Sequence, residues 1–189
     1  VAQDEAFAFA YPHLLDDWRA GGAQIETFSP LNNEPVPPCD LVFLPGGYPE
    51  IHAARLAGSS TFIESLRSAS QSSDIYGECG GYMMLGETLT DADGVTHEMA
   101  GLLELQTSFA RRQLHLGYRN LSAQIMPFKG AFKGHEFHYA TTIKAEGAPL
   151  FDATDAEGMH LPPMGLRHGR VCGSFAHIID RLDSAPIWD

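Results

Sequence analysis

The first half of the chain alternates short apolar runs with segments of helical spacing. Residues 41–44 (LVFL) and 75–76 (IY) are apolar and end in glycine-containing turns, which is typical of short buried strands. Helical spacing marks a segment that opens at Pro12, residues 61–69 and residues 80–85. Strands that alternate with helices in this way predict a parallel sheet with helices on both faces.

The pattern changes after the turn signal DADG at residues 91–94. Short strand-like pieces follow at residues 103–109, 118–125, 137–144 and 169–175, and residues 176–182 have the spacing of a short closing helix. Short strands joined by turns favour antiparallel pairing. We therefore expect an α/β fold with a mostly parallel sheet flanked by helices and with additional antiparallel strands in the second half.

The charge balance is strongly acidic, with 24 Asp and Glu against 12 Lys and Arg and a net charge of −12. Such a charge repels phosphate backbones and anionic lipids, so we expect no nucleic acid and no membrane as a partner. No run approaches the roughly 20 apolar residues that span a bilayer, and the N-terminus has no signal-peptide pattern, so we expect a cytoplasmic protein. A length of 189 residues suits a single domain.

Three cysteines lie far apart without a CxxC pair, which fits neither a disulfide scaffold nor a zinc site. One of them, Cys79, lies in residues 77–81 (GECGG), after an apolar strand and at the start of a helix. This context is typical of a nucleophile elbow, because a tight strand-to-helix turn needs small residues around the nucleophile. The positive end of the helix dipole is expected to lower the pKa of the Cys79 thiol. A buried structural cysteine is the alternative, and we favour it for Cys39 and Cys172.

A second glycine-rich turn, residues 45–47 (PGG), follows the apolar run at residues 41–44. Because the carboxyl ends of neighbouring parallel strands share one edge of a sheet, this turn and the Cys79 turn are expected to converge. The backbone N–H groups of Gly47 and Gly80 are then the natural donors to the oxyanion of an acyl-transfer reaction. Taken alone, a PGG sequence is also a common loop.

An acyl-transfer cysteine needs a histidine as its base and acid. Of the nine histidines, His177 follows the last predicted strand, at the sheet edge expected to hold Cys79. A structural, partly buried histidine is the alternative, and spacing alone favours it. His135 and His138 form a second cluster in GHEFHY, but HExH is not the HExxH spacing of zinc proteases and no third ligand is evident. We therefore expect no metal.

A series of motifs resembles the class I glutamine amidotransferase domain at the C-terminal end of cobyrinic acid a,c-diamide synthases, including the hydrogenobyrinic acid enzymes of the aerobic cobalamin pathway. The motifs are DEAF at residues 4–7, YP at 11–12, LPGGYPE at 44–50, YGECGG at 76–81, LGYR at 116–119, GHEFHY at 134–139 and GSFAH at 173–177. They follow one another along almost the full chain, so coincidence is a poor explanation.

The resemblance implies a class I amidotransferase-like, flavodoxin-like fold. It also implies Cys79 as the nucleophile, His177 as its partner, and the turn at Gly46 and Gly47 as part of the oxyanion hole. Arg112, shortly before the LGYR motif, matches a position where the family also has an arginine, and it is a candidate for holding the glutamine α-carboxylate. Glutamine is the implied substrate.

Two features depart from the family pattern. Many class I amidotransferases place a glutamate two residues after the histidine, where this chain has Ile179, and Asp180 is one step out of register. The cobyrinate branch resembles enzymes that use a Cys–His dyad without a third residue, which leaves open what orients the imidazole. The family's enzymes also carry an N-terminal ATP-dependent synthetase domain with a GxxxxGK[ST] loop, and that sequence is absent here. We expect residues 1–189 to be the glutaminase domain without a cofactor of its own, with ATP and Mg²⁺ bound by the missing synthetase domain.

The sequence thus predicts that the Cys79 thiolate and His177 hydrolyse glutamine to glutamate and ammonia. The ammonia is expected to reach the protein's own N-terminal synthetase domain, which amidates the a and c carboxylates of (hydrogeno)cobyrinic acid in cobalamin biosynthesis. Alternatives are the glutaminase domain of cobyric acid synthase or of another tetrapyrrole- or cell-wall-amidating enzyme, a cysteine hydrolase or redox sensor without a glutamine site, and a non-catalytic docking module. The GHEFHY segment favours the a,c-diamide synthase branch, and a homodimer stays an open alternative.

Overall fold

The fold combines helices with three sheets, and the computed structural model describes residues 1–125 and 128–182. The α-helices are α1 (Pro12–Ala20), α2 (Ala53–Ala57), α3 (Ser60–Ala69) and α4 (Gly80–Leu85), and a short 3-10 helix spans Pro30–Asn32. The strands are β1 (Leu41–Leu44), β2 (Asp74–Glu78), β3 (Thr88–Thr90), β4 (Thr96–Glu98), β5 (Glu104–Ser108), β6 (His115–Ile125), β7 (Phe128–His138), β8 (Thr141–Glu146), β9 (Phe151–Thr154), β10 (His160–Met164), β11 (Leu166–His168), β12 (Val171–Ser174) and β13 (Ala176–Arg181).

The central sheet has the strand order β1-β2-β12-β11 and positions the candidate chemistry. Strands β1, β2 and β12 run parallel, and β11 pairs with β12 in the antiparallel sense. In this register Leu44 lies beside Gly77, and Ser174 lies beside Glu78. The carboxyl ends of the three parallel strands therefore meet at one edge, as expected of an open α/β sheet.

Side chains of the central sheet alternate between two apolar clusters, as the period of two in a strand requires. Val42 and Leu44 of β1 point into a cluster that includes residues of α3 and α4, whereas Phe43 points into a second cluster on the opposite face. That opposite face is covered by α1, through Trp18, and by an antiparallel sheet of order β10-β9-β6-β7-β13. The central sheet is thus enclosed on both faces.

A third sheet, of order β4-β3-β5-β8, contacts α4. It pairs β3 with β5 in parallel and pairs the other neighbours in the antiparallel sense. The expected α/β fold with added antiparallel strands is confirmed. The antiparallel part is larger than expected, because the parallel core of the central sheet has three strands and most of the second half forms antiparallel pairs.

Two of the predicted elements differ from the structure. The expected strand at residues 137–144 is divided between β7 and β8. Residues 176–182 were expected to form a helix, whereas residues 176–181 form β13, which pairs with β7 and places His177 opposite His135. Their apolar spacing suits a short helix as well as a strand, and pairing along β7 decides between the two.

Candidate active site

Cys79 lies on a strained turn between β2 and α4. Its backbone has φ 48° and ψ −100°, a positive-φ conformation that residues other than glycine rarely adopt. The neighbouring glycines explain why the chain can turn this tightly. A Cβ on Gly81 would lie 1.9 Å from the carbonyl oxygen of Leu44, and a Cβ on Gly77 would lie 2.6 Å from Gly81. The GxCxG spacing therefore reflects close backbone packing around a nucleophile elbow.

The sheet register brings Cys79 and His177 to the same place. Because β12 runs beside β2, the N–H of Cys79 donates to the carbonyl of Ser174 at 2.8 Å. The chain then leaves the central sheet at Phe175 and enters β13 of the antiparallel sheet, which carries His177. Both side chains are buried, Cys79 at 6% exposure and His177 at 5%.

Both residues line a cavity of about 410 Å³, within the usual size range of small-molecule sites. Its wall is formed mainly by the segment before α1, the turn after β1 and the end of β7. The lining residues are Ala8, Phe9, Ala10, Tyr11, Gly47, Tyr48, Glu50, Cys79, Met83, Phe109, His135, Phe137, His138, Tyr139 and His177. The candidate nucleophile and base thus share one pocket.

The Cys79 thiol is protonated in this pocket. Burial raises its pKa from 9.0 to about 12, and the negative charges of Glu78, Glu50 and Glu136 act in the same direction. The N–H of Gly80 opposes this shift but is outweighed. The expectation of a lowered pKa was therefore wrong, because desolvation of the buried thiol outweighs the N–H of Gly80 at the start of the six-residue helix α4. The thiol instead donates to the carbonyl of Phe137, with 3.8 Å between Sγ and the oxygen.

The His177 imidazole is neutral and held on several sides. Burial lowers its pKa to about 4, and the positive charges of His135 and His138 add to the effect. Its ring stacks on His135, with 5.0 Å between the ring centroids, and His135 forms a hydrogen bond with the hydroxyl of Tyr11. The Nδ1 atom of His177 faces the carboxylate of Glu78 at 3.6 Å. A neutral imidazole can accept a proton from a thiol, which an imidazolium cannot.

The glycines predicted for the oxyanion hole lie next to the two catalytic candidates. A Cβ on Gly80 would lie 3.1 Å from the amide nitrogen of Gly47, so the two glycine-rich turns converge. A Cβ on Gly46 would lie 2.5 Å from Cε1 of His177, so this glycine makes room for the imidazole. The structure therefore places Gly80 beside Gly47, which lines the cavity, and places Gly46 against the imidazole of His177.

Glu50 belongs to the cavity wall, whereas Arg112 is near Glu50 but is not among the residues that line the cavity. Glu50 lines the cavity, and burial raises the pKa of its carboxyl while the positive charge of Arg112 partly opposes that shift. Arg112 is exposed, in the loop between β5 and β6. The pair offers one carboxylate and one guanidinium near the pocket, which suits a zwitterionic ligand.

Glu136 is the centre of a second polar cluster beside the cavity. Its side chain accepts a hydrogen bond from Arg119 at 2.8 Å and lies 2.9 Å from Nε2 of His138, whose Nδ1 donates to the carbonyl of Ala140. Burial would raise the pKa of Glu136, but the bonds to His138 and Arg119 outweigh it and lower the pKa. His115, Glu136 and His138 are close enough to share a metal ion, with ligand atoms within 4.8 Å. Since both oxygens of Glu136 already have hydrogen-bond partners, we assign the cluster no metal.

The family follows from comparison with known proteins. A model of the CobB/CobQ-like glutamine amidotransferase domain matches residues 1–183. The chain belongs to this family. The resemblance inferred from the motifs is thereby confirmed, and the chain is an amidotransferase domain.

The relatives of this amidotransferase domain are longer proteins. The chain is 55% identical to hydrogenobyrinate a,c-diamide synthase of Brucella abortus biovar 1 (strain 9-941), over 95% of this chain and 42% of that protein. It is 48% identical to the protein of the same name from Rhodobacter capsulatus, with the same coverage. The chain therefore spans less than half the length of these relatives.

The fold is also that of a solved amidotransferase. A crystal structure of a glutamine amidotransferase superposes with a TM-score of 0.60 over 94% of this chain and 89% of that chain, at 15% identity. No helix among the described residues is long and apolar enough to cross a membrane. Two carboxylates of the site, Glu50 and Glu78, were not singled out from the sequence. Both lie within the quoted motifs LPGGYPE and YGECGG, so their position next to the two glycine turns was the available signal.

Proposed function

We propose that this amidotransferase domain hydrolyses glutamine, with Cys79 as the nucleophile and His177 as the general base and acid. The observation that carries the proposal is the strained Cys79 elbow opening into the same cavity as a buried, neutral His177. Tight turns of this kind expose the nucleophile to the substrate at the end of a strand. Family membership agrees with this chemistry.

The reaction begins with a protonated thiol, because the pKa of Cys79 is about 12 before substrate binds. As the sulfur attacks the side-chain amide carbon of glutamine, its proton passes to His177. The tetrahedral intermediate then expels ammonia, which takes that proton from His177, and a glutamyl thioester forms. Water attacks the thioester and gives its proton to His177, glutamate leaves, and the thiol is restored.

The oxyanion of the tetrahedral intermediate is stabilised by backbone donors. The amide nitrogen of Gly47 is close to Gly80, and both turns lie at the carboxyl ends of their strands. N–H groups fixed by packed turns need no reorganisation when the charge develops, which makes such donors effective. We assign Gly47 and Gly80 to this role, and Gly46 supports it by leaving room for His177.

Glutamine is recognised by its charged end. The α-amino group binds to the carboxylate of Glu50, and the α-carboxylate binds to Arg112. Support comes from the position of Glu50 in the cavity wall and from the electrostatic interaction between the two side chains. This arrangement leaves the side-chain amide to extend inward towards Cys79.

The acceptor of the ammonia is a carboxylate of hydrogenobyrinic acid or cobyrinic acid, in the synthesis of cobalamin. The names of the relatives and their identities of 55% and 48% over 95% of this chain support this assignment over cobyric acid synthase. Amide formation requires ATP and Mg²⁺, which we assign to a synthetase domain beyond this chain. The greater length of the relatives leaves room for such a domain.

The mouth of the cavity is the proposed docking surface for that synthetase domain. Phe9, Tyr48, Phe137 and Tyr139 line the cavity, yet each is 43–47% exposed. Clustered exposed aromatic side chains are typical of interaction surfaces. Covering them would enclose the pocket, keep water out and protect ammonia from protonation on its way to the acceptor.

The test is glutamate release from glutamine, measured with and without the separately produced synthetase domain. We expect Cys79→Ala and His177→Ala to abolish release. Matched controls are Cys39→Ala and His168→Ala, which change exposed residues outside the cavity and should leave release unchanged.

Two results would oppose the proposal. Release that persists in Cys79→Ala would show that another group is the nucleophile. Absence of release in every sample, including the one with the synthetase domain, would leave the docking-module alternative. Selective labelling of Cys79 by a glutamine-analogue electrophile, rather than by a generic thiol reagent, separates a glutamine pocket from an unrelated cysteine hydrolase or redox sensor.

A further inference from the structure

Glu78, the residue directly before the nucleophile, is the most deeply buried carboxylate in the site. It is 1% exposed at the end of β2. Its Oε1 accepts hydrogen bonds from the N–H of Ile178 and from the hydroxyl of Tyr76, both at 3.0 Å. The backbone donor follows His177 on the same strand, so the carboxylate is anchored to the strand that carries the histidine.

The second oxygen of this carboxylate has no hydrogen-bond partner. Oε2 of Glu78 is shielded from solvent, and Nδ1 of His177 lies 3.6 Å from it. A buried carboxylate oxygen without a donor is costly, so a native structure is expected to supply one. A movement of about 0.7 Å would bring the two atoms to hydrogen-bond distance, and such bonds commonly tighten when substrate binds.

Other carboxylates do not serve His177. Ile179 offers no acceptor in its side chain, and Asp180 is exposed and accepts the N–H of Arg181. Glu136 is occupied by Arg119 and His138. Within residues 1–125 and 128–182, Glu78 is the carboxylate in contact with the His177 ring.

Building on the proposed glutaminase function, we propose that Glu78 is the positioning residue of His177. Its Oε2 accepts the Nδ1–H of the imidazole, which fixes the tautomer and leaves the lone pair of Nε2 free to take the proton of Cys79. The acid that orients the histidine therefore lies at the end of β2, directly before the nucleophile, instead of two residues after the histidine. Triads work by this logic whatever the order of their members along the chain.

The pH dependence follows from the groups around the pair. Burial raises the pKa of Glu78 to about 7, opposed by the hydrogen bonds from Ile178 and Tyr76. His177 faces Glu78 on one side and the stacked ring of His135 on the other, and the charge of His138 also acts on it. An ionised carboxylate can accept the Nδ1–H of His177 with either oxygen, whereas the protonated acid carries a proton on one of them. We therefore expect kcat/KM of the wild type to rise with pH through about 7.

The test uses the Glu78→Gln variant in the protein with its synthetase domain. The glutamine keeps an oxygen for Ile178 and Tyr76, but its amide N–H now donates to Nδ1 and favours the Nε2–H tautomer. In a serine protease the corresponding acid-to-amide change lowers kcat by about 10⁴-fold. We expect a fall in kcat of about 10²- to 10⁴-fold with little change in KM, and the rise in kcat/KM near pH 7 should disappear.

Two further variants separate positioning from general damage. Glu78→Asp keeps the acid on a shorter side chain and should restore part of the activity and the rise near pH 7. Asp180→Asn changes the acid nearest to the histidine in sequence and should behave as wild type. The melting temperature of each variant shows whether the fold is retained.

A spectroscopic measurement decides the proposal independently of activity. Nitrogen-15 shifts of the His177 imidazole should report the Nδ1–H tautomer in the wild type and the Nε2–H tautomer in Glu78→Gln. An unchanged tautomer, or a Glu78→Gln variant with wild-type kcat while Cys79→Ala is inactive, would overturn the role of Glu78 and leave the glutaminase function standing. A wild type no more active than Cys79→Ala would overturn the glutaminase function, and the tautomer would still decide Glu78.

Discussion

The protonated state of Cys79 leads to a quantitative prediction about its reactivity. With a pKa of about 12 in place of 9.0, the thiolate fraction at pH 7 falls from about 10⁻² to about 10⁻⁵. Since the thiolate is the nucleophile, reaction with a generic alkylating reagent should be about a thousandfold slower than for an ordinary thiol. The rate should also increase about tenfold per pH unit from pH 7 to pH 10 without a plateau.

A glutamine-analogue electrophile should behave differently. It binds in the cavity, where His177 can accept the thiol proton during attack, and His177 stays neutral down to a pKa of about 4. Between pH 8 and pH 6, labelling by the analogue should therefore fall only about tenfold, as Glu78 becomes protonated at a pKa of about 7, whereas generic alkylation should fall about a hundredfold.

The assay is mass spectrometry of intact and digested protein over a pH series. Cys39 is exposed and provides the internal reference for generic alkylation, although partial burial also raises the pKa of its thiol, and Cys79→Ala provides the blank. Alkylation of Cys79 that is faster than that of Cys39 at pH 7, with a plateau below pH 8, would refute the reasoning. It would show that Cys79 is already a thiolate and that the dipole of α4 lowers the pKa of its thiol.

Three further predictions follow from the contacts of the site. Gly46→Ala places a methyl group 2.5 Å from Cε1 of His177, so glutamate release should fall at least about 10²-fold while circular dichroism still shows a folded protein. The pKa of Glu78 is raised from 4.5 to about 7 in the folded state, so the wild type loses stability as pH rises through this range. The free energy of unfolding of Glu78→Gln, measured by urea denaturation, should therefore increase by about 3 kcal/mol relative to that of the wild type between pH 4 and pH 8. Arg112→Ala should raise KM for glutamine by about 10- to 100-fold with a smaller change in kcat, since a charge-assisted contact is worth about 1.5–3 kcal/mol; an unchanged KM would remove Arg112 from the glutamine site.

The parts of the fold with strong local signals could be predicted from sequence. Helix α1 begins at Pro12 and ends before Gly21, and β1 is an uninterrupted apolar run, so each element is set by its own residues. The strand that carries His177 could not be predicted in this way, because β13 exists through its pairing with β7. Long-range pairing of this kind has no signature within the segment itself.

The same division applies to the site. Cys79 and the glycines around it were predicted, because a strained turn imposes its demands on adjacent residues. The direction of the Cys79 pKa shift was not predicted correctly, because it depends on how deeply the folded chain buries the thiol. The proximity of Glu78 to His177 also depends on tertiary structure, since the two residues are about a hundred positions apart and meet only through the register of β2, β12 and β13.

The central claim is that Cys79 and His177 act together to release ammonia from glutamine. The most direct test is glutamate release by wild type, Cys79→Ala and His177→Ala, each in the presence of the synthetase domain. We predict release by wild type and none above background by either variant. Release by Cys79→Ala at the wild-type rate would contradict the account.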